Sequence, residues 1–169
     1  IFAILSRTSI GNVQIFESEE HKSKNQDNRA LALSNGSRLI LKEIGVWDRL
    51  EKKITKIKKI HTSQAGSFGR TMLDAEEFNE DSLGYIISYG DLMGALQEEV
   101  ECIRNVKISY GTKVTKCIDE KSSLNLTLQT NNKTKKFKSE FVVLADGTTE
   151  GIEGLELNKK IKHFNHAAI

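Results

Sequence analysis

Two carboxylates stand where β-rich runs stop, and each could hold a ligand there. The run Phe141 to Ala145, FVVLA, halts at Asp146-Gly147. An unbroken apolar run that short predicts a strand buried on both faces, a kind found mostly in parallel sheets with helices above and below. Ligands of such sheets bind beyond the carboxyl ends of the strands. Asp146 could therefore face a ligand, and Gly147 would let backbone approach it closely. An ordinary Asp-Gly turn closing a core strand accounts for the same two residues. The second acid is Glu17, which follows Val13-Gln14-Ile15-Phe16. A helix entering a strand that ends in a carboxylate is the second half of a dinucleotide-binding βαβ unit, where the acid accepts hydrogen bonds from ribose hydroxyls. The GxGxxG signal that usually accompanies it is absent, and a solvated strand-end acid is the other reading of Glu17.

Other chemistries find little support. His163-x-x-His166 has no acid or cysteine at ligand spacing, so no metal is expected. Ser34, Ser37 and Ser67 lack the sharp strand-to-helix elbow that exposes a nucleophile. Cys102 and Cys117 form no CxxC pair and read as reduced thiols of a cytoplasmic protein. A chain of 169 residues, 38% hydrophobic and 28% charged, is a soluble folded domain with at most an appendage. Its net charge of +2 is too small to argue by itself for nucleic acid, and no nucleic-acid partner is expected. No run is long enough to span a bilayer, and the first residues, IFAILSRTSIGN, lack the leading positive charges and small-residue cleavage site of a signal peptide. The chain lacks proline and does not begin with Met, and Ile1 to Arg7 resembles the last turns of an apolar helix, so a fragment is expected.

The elements that must position these residues follow in order. After the strand at Val13, the polar stretch Glu19 to Asn28 reads as a loop. Ala30 to Ile44 has mixed helical spacing, interrupted at Asn35-Gly36 and stopped by Gly45. Trp47 is expected as a core anchor. Ile54 to Ile60 alternates with lysines and predicts an edge strand, its wet face guarded by Lys52, Lys53, Lys56, Lys58 and Lys59. The same lysines could attract anionic lipid headgroups. Ser63 to Gly69 is a turn, Arg70 to Asp74 the returning strand, and Asp74 to Asp81 a loop. Gly84 to Ser88 reads as a strand, followed by a helix capped by Asp91 and running to about Ile103. After Val106 to Ile108, the segments Lys113 to Ile118, Leu124 to Gln129 and Lys135 to Phe137 predict an antiparallel meander that turns at Asn131-Asn132. His163 to Ile169 reads as the beginning of a strand.

Taken together, the strand ending in Glu17, Asp27-x-Arg29-x-x-Ala32-Leu33, Ile44-Gly45-Val46-Trp47-Asp48-x-Leu50, Leu83-Gly84-Tyr85-Ile86-Ile87 and Ala145-Asp146-Gly147 form an ordered string. In that order and spacing the chain resembles the flavin-dependent aromatic hydroxylases of ubiquinone biosynthesis, from about Val13 to Ile169. The resemblance implies an α/β fold. It would be a partial FAD-binding Rossmann-like domain over residues 1–157, with a parallel sheet, helices, an antiparallel β-meander crossover and inserted strands at about 54–74. The start of a substrate domain would follow at 158–169. It further implies an oxidoreductase that binds FAD, takes electrons from NAD(P)H, reacts with oxygen and hydroxylates a lipid-tailed aromatic substrate. Peripheral contact with the inner face of a membrane, or with a ubiquinone-synthesis complex, would follow from such a substrate.

Carried over by position, Glu17 would hold the ribose of the FAD adenosine. Arg29 would lie along the pyrophosphate and ribityl chain, where a guanidinium neutralises phosphate and donates several hydrogen bonds. Asp146 and Gly147 match the family's Asp-Gly motif, linked to the pyrophosphate and the nicotinamide cofactor. No side chain is assigned as acid, base or nucleophile. The chain departs from the pattern in several places, among them the lack of the family's downstream Gly-Asp segment, which completes the ribityl site and most of the substrate pocket. Glu150 and Glu153 replace a Ser and an Arg, Tyr89-Gly90 replaces an Asn-Arg pair, and the phosphate loop is missing. These departures carry the alternative expectation, a truncated or degenerate relative that binds no flavin.

Overall fold

The computed structural model describes residues 11–21, 27–63, 66, 69–145, 147 and 151–155. The chain divides into two compact units, one of Ile1–Ile15 with Lys22–Ile108 and one of Phe16–His21 with Ser109–Ile169. The predicted helix end at Ile1 to Arg7, Asp146, Glu150 and the strand at His163 to Ile169 lie outside the described residues.

In the first unit, strand β6 (Gly84–Ser88) is the centre of a three-stranded antiparallel sheet, flanked by β2 (Ala30–Leu33) and β3 (Thr55–Ile57). Ala30 faces Ser88 and Leu33 faces Tyr85. Expecting a helix to start at Ala30 was therefore mistaken. Ala-Leu-Ala-Leu is rich in helix formers, but pairing with β6 overrides that weak preference. The Asn35-Gly36 pair begins helix α1 (Asn35–Glu43) instead of interrupting one. The Ser34 hydroxyl accepts the Ser37 N–H at 3.1 Å, as an N-cap does. The far end closes as expected. Gly45, at φ 80°, donates to the Lys42 carbonyl and Val46 to that of Leu41, the paired bonds of a left-handed glycine cap.

Helices α2 (Trp47–Leu50) and α3 (Tyr89–Glu101) complete this unit's core. Val46, Trp47, Leu50, Tyr85, Ile87 and Ala95 are buried together, and the Trp47 and Tyr85 rings meet edge to face at 4.9 Å. The cap of α3 is Ser88, not Asp91. The Ser88 hydroxyl accepts the Asp91 N–H and donates to the Asp91 carboxylate at 2.6 Å, a reciprocal arrangement that shifts the helix start two residues upstream of Asp91.

The expected strand from Ile54 to Ile60 is split. Lys58 gives its carbonyl to the Ala75 N–H, and the chain passes from β3 to a separate hairpin of β4 (Lys59–Ser63) and β5 (Arg70–Asp74). The supposed loop after Asp74 contains a 3-10 turn, Ala75–Phe78, capped by Asp74. Three of the five lysines near this edge are held in ion pairs, Lys53 with Asp91, Lys56 with Asp81 and Lys59 with Asp74. That use suits an edge kept from aggregating.

Strand β1 (Val13–Phe16) pairs with β7 (Val106–Ser109). Val13 donates to the Asn105 carbonyl and Glu17 to that of Ser109, so both strands advance in the same direction. This is the parallel element expected of the fold. In the second unit β8 (Lys113–Asp119), β9 (Leu124–Thr130) and β10 (Lys133–Ser139) form the predicted meander. Asn131 and Asn132 sit at φ 46° and 62°, as a two-residue hairpin turn demands. Cys117, Leu126 and Leu128 form its core, with Phe16, Phe137 and Ile152 packed against them.

Phe141 to Ala145 does not form the strand buried on both faces that its composition predicts. The Ser139 hydroxyl donates to the Phe141 carbonyl, turning the chain at the end of β10, and Phe141 is 51% exposed. Among the described residues no strand pairs with it, and an apolar run becomes a strand only where partners supply the ladder bonds.

The glycines of this fold divide sharply. A Cβ on Gly84 would stand 2.8 Å from the Leu33 carbonyl oxygen, within a paired strand. One on Gly94, in the middle of α3, would meet nothing within 4 Å. In denaturant unfolding, Gly84→Ala should lose about 1–3 kcal/mol through overpacking. Gly94→Ala should gain about 0.4–1 kcal/mol by restricting the unfolded chain. Equal effects would contradict the assigned packing.

Candidate functional site

Arg29 belongs to the first unit, at the entrance to β2. Residues 27–29 are fastened to the start of α3 by two backbone bonds, Tyr89 N–H to the Arg29 carbonyl and Gly90 N–H to the Asp27 carbonyl, each 2.8 Å. These continue the β2–β6 ladder beyond the strands themselves. They also place the Arg29 side chain beside Tyr89. The guanidinium carbon lies 5.1 Å from the Tyr89 ring centroid, within reach of a cation–π contact.

Asp27 grips the same guanidinium. Its Oδ1 accepts from Arg29 Nε at 2.9 Å, and its Oδ2 accepts from Nε at 2.9 Å and from Nη2 at 2.6 Å. Oδ1 also accepts the Arg29 backbone N–H at 3.0 Å, so the carboxylate is anchored by the turn it makes. Yet the Arg29 side chain is 74% exposed, against 26% for Asp27. The hydrogen bonds from Arg29 hold the Asp27 carboxyl below the usual carboxylate range, and the same bonds raise the pKa of Arg29. A charged, forked donor presented to solvent suits an anion such as phosphate.

Glu17 belongs to the second unit and directly follows β1, as expected. Its backbone is held on both sides, donating to the Ser109 carbonyl and accepting the Thr112 N–H at 2.8 Å. The exposed carboxylate accepts the Glu19 N–H at 2.9 Å and the Ser18 hydroxyl at 3.4 Å. An acid fixed at a strand end beside a parallel neighbour has the chemistry to accept from a vicinal diol. Gly147, in the same unit, has φ 67°, and a Cβ there would meet nothing within 4 Å. A position that is left-handed and open is one where backbone can come close to a ligand. Each group, within its own unit, suits one part of FAD: the Arg29 guanidinium a phosphate, the Glu17 carboxylate a diol, and Gly147 a close backbone approach. Glu17 and Arg29 fall in different units.

Sequence reasoning missed Asp27 and Tyr89 as partners of Arg29. The Asp-x-Arg spacing was a usable signal for the first, since residues two apart share one side of an extended chain. Nothing local announces Tyr89, which is brought there by strand register. Glu153, counted in the sequence among the departures from the family pattern, has a partner of its own. The Glu153 carboxylate is 2.6 Å from Lys116 Nζ, and its carbonyl accepts the Cys117 N–H, so this acid is partly neutralised by an ion pair in its own unit. The first unit also has an open hollow of about 480 Å³ lined by Asn35, Leu73, Phe78, Glu80, Ser82 and Leu83, which includes neither Asp27 nor Arg29.

Residues 4–153 match a family described as FAD binding domain. The chain is 24% identical over 143 residues to Ubiquinone biosynthesis monooxygenase COQ6, mitochondrial, of Homo sapiens, covering 79% of this chain and 30% of the relative. It is 24% identical over 140 residues to the protein of the same name from Caenorhabditis elegans, covering 83% and 29%. The chain therefore spans about a third of the length of the curated relatives it matches. Among solved structures it resembles the p-nitrophenol 4-monooxygenase PnpA of Pseudomonas putida, with a TM-score of 0.70 and 16% identity over 89% of this chain and 38% of that one. It also resembles the flavin-dependent monooxygenase PieE, solved with FAD and substrate, with a TM-score of 0.71 and 14% identity over 88% and 28%. These likenesses establish the mixed α/β fold. Among the described residues no helix is long and apolar enough to cross a membrane.

The Asp27 carboxyl titrates below its ordinary value because of Arg29, so their pair is intact above the unfolded carboxylate range. Its contribution is lost as pH falls through the lowered folded value. In an NMR titration, Arg29→Ala should move the Asp27 midpoint upward. A midpoint that stays in place would mean that the guanidinium does not cause the shift.

Proposed function

Since the chain belongs to the FAD-binding-domain family, we propose that the natural polypeptide carrying it is a flavin-dependent monooxygenase that hydroxylates an aromatic ring using NAD(P)H and oxygen. The observation that carries this reading is the family match across nearly the whole chain, which falls on an architecture supplying a strand-end acid and an exposed, organised guanidinium. The proposed substrate is a polyprenylated phenol of ubiquinone biosynthesis. The names of the human and nematode relatives support that choice.

Bound FAD would supply the redox chemistry. The protein's part is to hold and orient it. We assign Glu17 to the adenosine ribose and Arg29 to the pyrophosphate. Asp146 and Gly147 are assigned to the pyrophosphate and to the nicotinamide cofactor, with Gly147 contributing backbone. No residue of this chain is given a proton to move. A lipid-tailed substrate would bring the protein to a membrane surface, and we extend the proposal to peripheral contact there. The lysines beside β3 add little to it, because three of them are already in ion pairs.

A second reading, a relative that folds but binds no flavin, is favoured by Gly90, which stands where the resemblance implies an Arg. Purification separates the two. A flavin enzyme emerges yellow and releases its flavin on denaturation, whereas a colourless polypeptide that takes up no added FAD would be the degenerate relative. In the flavin enzyme, Arg29→Ala should remove a charge-assisted hydrogen bond worth roughly 1.5–3 kcal/mol, weakening FAD binding about tenfold or more. Unchanged affinity would take Arg29 out of the site.

A further inference from the structure

We infer that Asp27 is a positioning residue for the cofactor, acting through Arg29 with Tyr89 as the opposing support. This rests on the reading above, that Arg29 meets the FAD pyrophosphate. A free arginine on a surface samples many rotamers, and a ligand that captures it must freeze them. Here two groups have already done so. The Asp27 carboxylate takes the edge formed by Nε and Nη2, and the Tyr89 ring lies against the guanidinium. Both supports are themselves fixed. Asp27 Oδ1 accepts the Arg29 backbone N–H, the Asp27 carbonyl accepts Gly90 N–H, and the Arg29 carbonyl accepts Tyr89 N–H. Among the described residues no hydrogen-bond partner takes Nη1. A planar fork held along one edge offers its remaining edge in a set direction, which suits a phosphate oxygen.

The sign of the effect is what makes the inference testable. Simple electrostatics says that an acid beside a bound anion repels it, so removing Asp27 should tighten FAD binding. Preorganisation says the reverse. Loss of the clamp releases Arg29, and the cofactor must order it again. For an exposed pair the repulsion is screened by water and salt, which leaves the ordering cost in command.

Asp27→Asn is the suitable variant, because an amide oxygen can still accept the Arg29 backbone N–H while the charged grip is lost. FAD affinity would be measured in the natural polypeptide and in its Asp27→Asn, Arg29→Ala and doubly substituted forms. We expect Asp27→Asn to weaken FAD binding about three- to tenfold. In the Arg29→Ala background the same substitution should change affinity little, a coupling that a general loss of structure would not produce. Tighter binding by Asp27→Asn, unchanged binding, or equal weakening in both backgrounds would overturn the inference while leaving the flavin enzyme intact. A parent protein that binds no FAD would instead remove the functional reading, and the inference with it.

Discussion

The register of the β2–β6 ladder is the constraint on which the first unit turns. Ala30 opposite Ser88 and Leu33 opposite Tyr85 decide which side of each strand meets the helices. They also decide what lies beyond the strand ends. One step past Ala30 and Ser88, Arg29 comes beside Tyr89, and the backbone bonds continue to Asp27 and Gly90. A slip of one residue would send every side chain of β2 to the other face and carry the guanidinium away from the ring. The buried cluster of Val46, Trp47, Leu50, Tyr85 and Ile87 holds that register, because Tyr85 and Ile87 are contributed by β6 itself. Core packing and the presentation of Arg29 are therefore consequences of one alignment.

The same strand supplies the next element. Ser88 ends β6 and caps α3, so the chain leaves the sheet and enters the helix without an intervening loop. The two residues that follow, Tyr89 and Gly90, stand where the resemblance implies an Asn-Arg pair. Their backbone N–H groups secure the segment that carries Asp27 and Arg29. What looks like a lost cation in the sequence is, in the fold, an aromatic support for a different cation.

Much of the fold was legible in the sequence wherever local chemistry decides conformation. Asn131-Asn132 predicted a hairpin because asparagine tolerates positive φ, and both residues adopt it. Gly45 ended α1 for the same reason. Long-range pairing was less legible. Ala30 to Leu33 carries helix-forming residues but is claimed by β6, and Phe141 to Ala145 carries strand-forming residues but finds no ladder among the described residues. Of the candidate residues, the place of Glu17 directly after a strand was legible, whereas Arg29 was singled out by the resembling motif and not by any local conformational signal. The partnership of Arg29 with Tyr89, sixty positions away, depends on register and has no signature in either segment.

The central claim is that this register presents Arg29 to a cofactor phosphate, and comparing flavins with and without phosphate tests it most directly. The natural polypeptide should bind FAD far more tightly than riboflavin, which has the same ring and no phosphate. Arg29→Ala should narrow that gap by weakening FAD while leaving riboflavin nearly unchanged. If the variant binds both ligands less well in equal proportion, or keeps the full gap, Arg29 does not meet the phosphates and the account is wrong.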